Sequence, residues 1–302
     1  MSGHEQVVSR ALRAGWAVGS RVPDAFATRL LDVAADQTWR ARGAGVRQLE
    51  HNLARAAPEV HGDRLHDLGR AAMRSYFRYW GETFQLPRWS EQEIRDRVVV
   101  HDGHRLHDAY AAGRGVVGAL PHSGNWDLAG AWACSLGMPL TTVAERLRPE
   151  KLYADFVAYR VSLGMEILPL SGAGPSLRLL VERLHAGRFV PLLADRDLSR
   201  GGVVVPLLGE DASVPSGPAR LAQLTGATLL PITCDYTGPQ GAAGQMHLRM
   251  HEPVPHVSGR GGAVAMTSAV ADAFSAAIMA APTDWHMLQP VFVADPAVPG
   301  RS

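Results

Sequence analysis

The residues best equipped for chemistry in this chain lie in the stretch PHSGNWD, where His122 and Asp127 stand five positions apart, after an apolar run and ahead of a helical pattern. A carboxylate that accepts the imidazole Nδ1–H fixes the tautomer and leaves Nε2 free as a base. Ser123, Gly124 and Asn125 form a turn able to fold Asp127 back toward the ring. Their backbone N–H groups, at a helix amino terminus, suit a developing negative charge. Gly124 offers no side chain against a ligand. The plain structural alternative makes His122 a cap for the helix that starts near Trp126, with Asp127 complementing the helix dipole. By residue type alone the two readings weigh about equally. No G-x-S-x-G surrounds Ser123 and Cys134 lies about three helical turns on, so a covalent serine or cysteine mechanism is not supported.

Further polar groups follow apolar runs of strand type. Glu145 follows PLTTVA, and Asp195, Arg196 and Asp197 follow FVPLLA. Ligands of open α/β sheets sit beyond the carboxyl ends of the strands, so these groups and His122 gather at one edge. Asp195 is the second acid expected to contact the imidazole or an acceptor hydroxyl; a turn-capping carboxylate is the equal alternative. Glu145 and Arg160 are expected to pair across the site or to bind sugar and phosphate, with a structural salt bridge as the plain reading. Arg196 suits a phosphate as a bidentate donor, or is simply solvated. His101, His104 and His107 recur at three-residue intervals, a spacing that can align imidazoles on a helix. Gly103 breaks that pattern and no acid or cysteine is placed to complete a site, so they read as surface histidines and no metal is expected.

The elements that must position these groups divide in two. Residues 5 to about 92 carry apolar positions at three- and four-residue spacing, which predicts helices. From Val98 onward, apolar or β-branched runs (RVVVH, GVVGALP, PLTTVAE, MEILPL, FVPLLAD, VVVPLLG, TLLPITCDY) alternate with helical patterns. This predicts an α/β fold, a mostly parallel central sheet flanked by helices, over residues 96–302, with an N-terminal helical region over 1–95 that is membrane-facing or capping. A strand pair around GQMHLRMHEPV is expected to be antiparallel. The segment EQVVSRALRAGWAVGSRV, with Arg10 and Arg13 among Val7, Val8, Leu12 and Trp16, suits a helix lying in a headgroup layer; an ordinary core helix is the even alternative. Its arginines interrupt any apolar core, so it reads as neither a signal peptide nor a membrane span. YFRYWGETF is core packing or the wall of an acyl groove.

Thirty Lys and Arg against 29 Asp and Glu leave no electrostatic footprint for nucleic acid. Cys134 and Cys234 share no C-x-x-C spacing, so neither a disulfide framework nor a zinc site is suggested and a reducing cytoplasm fits.

With these residues in view, HSGNWD resembles the H-x4-D box of the glycerolipid acyltransferase superfamily, in the branch of the lipid A late acyltransferases. FVPLLADRDLSRGGVVVPLLGEDASVPSGPARLAQLTGATLLPI resembles that branch's second block, an acid after a strand followed by PLLG and a GPARLA helix. AERLRPEKLYADFVAYRVSLGMEILPL, between them, is similar to the block that retains an acid and an arginine before LG. The resemblance spans roughly residues 60 to 290. Asp127 in place of the commoner glutamate, and no amino-terminal membrane span, are similar to the actinobacterial phosphatidylinositol mannoside acyltransferases. The resemblance implies a peripheral protein at the cytoplasmic face of the plasma membrane that transfers a palmitoyl-like chain from acyl-CoA to a mannose hydroxyl of phosphatidylinositol mannoside. It implies His122 as base with Asp127 and Asp195 as acids, and no metal or redox cofactor. A lysophospholipid acyltransferase acting on a glycerol hydroxyl, and a lipid-binding protein without turnover, are the other readings.

Overall fold

The computed structural model describes residues 24–145, 150–170, 175–197, 201–236 and 244–295; the amphipathic pattern of residues 5–22 lies outside them. Three helices open the described chain: α1 (Asp24–Arg40), α2 (Ala44–Ala56) and α3 (Asp63–Gln85). Val46, Leu49, Leu53 and Ala56 repeat at three and four residues along α2, so they form one buried stripe. That stripe meets Ala35, Ala72 and Met73 in a satellite core. The short α4 (Glu91–Asp96) starts on a reciprocal capping box between Ser90 and Glu93, which satisfies two backbone donors at once.

The sheet that follows has the order β1-β9-β8-β2-β5. Its strands are β1 (Val98–His101), β2 (Val116–Leu120), β5 (Phe189–Leu193), β8 (Thr228–Tyr236) and β9 (Met246–Met250). β2 lies between β5 and β8, parallel to both, and every one of its residues is buried. A strand covered on both faces needs such an unbroken apolar run. β1 and β9 are parallel, and β8 and β9 form the antiparallel pair expected around GQMHLRM. The strands β3 (Thr141–Ala144) and β4 (Glu166–Pro169) form a parallel pair beside β5, joined to it by a bridge between Leu140 and Phe189 and by the Thr142 hydroxyl donating to the Pro191 carbonyl at 2.6 Å.

VVVPLLG departs from expectation. It forms β6 (Val203–Leu207), which among the described residues pairs with β7 (Glu210–Val214) in an antiparallel hairpin outside the main sheet. Leu208 and Gly209 both take positive φ, 53° and 82°. That two-residue turn matches the twist of the flanking strands, and the polar first half of EDASV masks the second strand in the sequence.

Helices cover both faces. Val117, Ala119, Val190 and Leu192 pack with α9 (Gly217–Thr225) and α10 (Gly262–Ala280). Val116, Leu120, Phe189 and Ile232 pack with α5 (His104–Ala111), α6 (Trp126–Ser135) and α7 (Glu150–Ser162). α10 is long and apolar enough to cross a membrane by length and composition, but Met266, Val270, Phe274 and Ile278 place one of its faces in the protein core. α8 (Pro175–His185) precedes β5.

Candidate active site

The site follows from the register of β2 and β5. Leu120 and Leu193 are partners in that parallel pair, and Ala194 N–H donates to the Leu120 carbonyl at 2.7 Å. Two residues beyond each leucine stand His122 and Asp195, brought side by side. His122 Nδ1–H donates to Asp195 Oδ1 at 2.5 Å. Asp195 Oδ2 accepts from the His122 backbone N–H at 2.8 Å and from the Trp285 indole N–H at 2.9 Å. Asp195 is fully buried. Burial by itself would raise its carboxyl; the adjacent imidazole and the three donors outweigh burial and hold it below the usual carboxylate value. The His122 side chain is 22 % exposed, and its Nε2 makes no hydrogen bond to the described residues. This arrangement fixes one tautomer and leaves the other nitrogen open to accept a proton.

Of the two acids that the sequence left open as partners of the imidazole, Asp127 is the one turned away from it. Its Oδ1 accepts from Arg160 Nε at 2.7 Å, and its Oδ2 from the Tyr79 hydroxyl at 3.0 Å and Arg160 Nη2 at 3.3 Å. The physical reason is where α6 begins. Asn125, rather than His122, caps it, its Oδ1 accepting from Leu128 N–H at 2.9 Å, so Asp127 already lies inside the first turn and projects toward α3 and α7. Burial works to lower the pKa of the mostly buried Arg160 guanidinium, and the Asp127 charge beside it outweighs burial and raises it above the usual value. Arg160 is thereby unavailable to Glu145, which instead meets Arg196 Nη2 at 3.3 Å.

The turn is also occupied differently from the expectation. His122 N–H goes to Asp195, Ser123 N–H to the Pro121 carbonyl at 2.8 Å and Gly124 N–H to the Asp284 carbonyl at 3.0 Å, so these three donors are engaged within the protein. The Ser123 hydroxyl accepts from Cys234 N–H at 3.4 Å. Gly124 has φ +54°, and a Cβ there would come within 2.7 Å of Cys234 Cβ; its lack of a side chain answers to β8 rather than to a ligand. Asp197 accepts from Gly202 N–H at 2.8 Å and the Ser213 hydroxyl at 3.3 Å, which ties it to the β6–β7 hairpin. The three spaced histidines diverge. His101 faces His247, Nε2 to Nδ1 at 3.1 Å, while His104 and His107 are exposed on α5. Among the described residues, no three His, Cys, Asp or Glu side chains cluster as a metal ligand set.

Sequence reasoning missed two further contributors. The segment Asp284–His286 runs antiparallel to the His122 turn through a Ser123–Trp285 bridge, and His286 N–H donates to the His122 carbonyl at 2.8 Å. The Ser75 hydroxyl donates to Asp284 Oδ1 at 2.6 Å and lies 2.9 Å from His286 Nε2. Burial pushes the Asp284 carboxyl up to about 6 and the His286 imidazole down to about 3. The second contributor is one stripe of α3. Ser75, Tyr79 and Glu82, spaced four and three residues, reach Asp284, Asp127 and Asn125; the last contact is Asn125 Nδ2 to Glu82 Oε2 at 2.9 Å. Polar residues on the inward stripe of an otherwise apolar helix face were the available signal. An apolar cavity of about 30 Å³ is lined by Trp126, Leu120, Gly130, Phe189 and Ile232 among others, and the Trp126 ring stands 5.3 Å from that of His122.

The chain is similar to known proteins over most of its length. A protein named phosphatidylinositol mannoside acyltransferase from Mycolicibacterium smegmatis is 44 % identical over 291 residues, covering 96 % of this chain and 93 % of that protein. One of the same name from Mycobacterium tuberculosis is 44 % identical over 289 residues, covering 94 % and 88 %. The family described as bacterial lipid A biosynthesis acyltransferase matches residues 7–293. The chain belongs to that family, and it is an acyltransferase.

Proposed function

We propose that this acyltransferase moves a palmitoyl-like chain from acyl-CoA to a mannose hydroxyl of phosphatidylinositol mannoside, with His122 as general base. The single observation that carries the base assignment is the His122–Asp195 pair, with Nδ1 held and Nε2 open; the names of the two relatives support the acceptor. In this scheme Nε2 takes the proton of the mannose hydroxyl, whose oxygen attacks the thioester carbonyl. The tetrahedral oxyanion collapses, the C–S bond breaks, and the imidazolium returns the proton to the CoA sulfur. A thioester is already activated, so neither a metal nor a redox cofactor is needed. Such a base contributes roughly 10²- to 10⁴-fold. Arg196 is assigned to a phosphate of donor or acceptor, and the apolar cavity lined by Trp126 to the first methylenes of the chain. A lipid acceptor supports a peripheral location at the cytoplasmic face of the membrane, and the amphipathic sequence pattern of residues 5–22, outside the described residues, suits contact with it.

The test incubates purified protein with labelled palmitoyl-CoA and, in parallel, phosphatidylinositol mannoside or a lysophospholipid, using wild type and His122→Ala. Label should enter the mannoside and fall by at least about 100-fold in the variant. Label entering only the lysophospholipid would replace the acceptor, and an undiminished rate in the variant would remove the base.

A further inference from the structure

We propose that Trp285 is a positioning residue for the His122–Asp195 pair: its indole N–H fills Asp195 Oδ2 and so dedicates Oδ1 to the imidazole. The proposal rests on His122 acting as the base. Asp195 lies wholly inside the protein, so its carboxylate depends on protein donors. Oδ2 receives the His122 backbone N–H at 2.8 Å and the indole N–H at 2.9 Å, while Oδ1 receives the imidazole. A carboxylate engaged at both oxygens cannot swing about its Cβ–Cγ bond, and the ring it faces is held in one orientation.

Trp285 is itself completely buried. Its neighbours are bonded to the turn that carries the imidazole, Asp284 through its carbonyl from Gly124 N–H and His286 through its N–H to the His122 carbonyl. The same backbone contact therefore carries both the indole donor and the base, and the two cannot drift apart. From behind, Asp284 Oδ2 accepts from Tyr236 N–H at 2.8 Å and its Oδ1 from Ser75, which anchors the segment to β8 and α3. The indole donor also tempers the basicity of Asp195. Without it, the carboxylate would hold the ring proton more strongly and favour the imidazolium, which cannot act as a base. Burial lowers the imidazole of His286 to about 3, so this neighbour of the turn is neutral at neutral pH.

The experiment replaces Trp285 by Phe and, separately, by 3-benzothienylalanine, which keeps the indole shape with sulfur in place of the N–H. Palmitoyl transfer is measured across pH with each full-length variant, and the His122 ring is titrated by NMR. The expected result in both is a kcat about tenfold lower, with the KM for palmitoyl-CoA within about twofold of wild type. The acid limb of the rate profile and the ring titration should move up together by roughly half a pH unit. A tryptophan with a packing role alone would lower the Tm of the phenylalanine variant and leave the benzothienyl protein with wild-type kcat and pH profile; that outcome overturns the proposal. Undiminished transfer in His122→Ala removes the base assignment instead, whereas loss there beside an unperturbed benzothienyl protein removes only the role of Trp285.

Discussion

Asp195 and His122 meet at 2.5 Å because two parallel strands end at the same height, Leu193 opposite Leu120, and each runs two residues further. Asp195→Asn keeps the shape and removes the charge. An amide cannot accept from all three donors, so the ring loses its fixed tautomer. The expected kcat loss is roughly 10²- to 10⁴-fold, measured with a circular dichroism spectrum that stays native.

Asp127 is predicted to act on stability first. Asp127→Ala leaves the Arg160 guanidinium, only 17 % exposed, without its counter-charge. Breaking one side of such a pair costs about 3–5 kcal/mol. Urea denaturation should show that loss, and Asp127→Leu combined with Arg160→Met should recover much of it.

His286 should make the fold acid-sensitive. Burial holds its imidazole down to about 3, while the unfolded chain titrates near ~6.5. Between those values the unfolded state binds more protons, so stability is full above the upper value and falls as pH drops, by at most about 1.4 kcal/mol per unit. Asp284, pushed up to about 6 by burial, has the opposite sign: its contribution is full below ~4 and is lost as pH rises through about 6. Thermal melts should therefore show His286→Gln losing less Tm than wild type on acidification from pH ~6.5. Asp284→Asn should lose more between pH about 6 and ~4.

Gly124→Ala should lower both Tm and activity. The position has φ +54°, and a methyl group would meet Cys234 at 2.7 Å, so the turn that carries His122 must shift. The conformational penalty alone is about 1–2 kcal/mol. Differential scanning calorimetry checks the stability and acyl transfer the displacement; an alanine variant with wild-type Tm would contradict the packing reason given for this glycine.

Local spacing made much of this protein readable. Apolar runs of strand length alternating with helical periods announced the α/β fold, and PHSGNWD and LADRD announced a histidine and an acid at one sheet edge. β6 was readable as a strand but its partner was not, since a hairpin is declared by the Leu208–Gly209 backbone and an apolar run looks the same in either setting. The choice between Asp127 and Asp195 stayed open in the sequence for a related reason. The spacing of Asp127 from His122 is compatible with a turn folding back, and only the Asn125 cap, which starts α6 between them, sends it to Arg160.

Residue types and short-range periodicity thus indicated most of the elements and the candidate site side chains, because propensity and patterning act over a few residues. The tertiary structure decided which carboxylate holds the imidazole. That choice depends on the register of β2 against β5 and on donors arriving from Trp285 and α3. Contacts across 73 and 90 residues of chain leave no mark in local spacing, since they exist only once the sheet has closed around them.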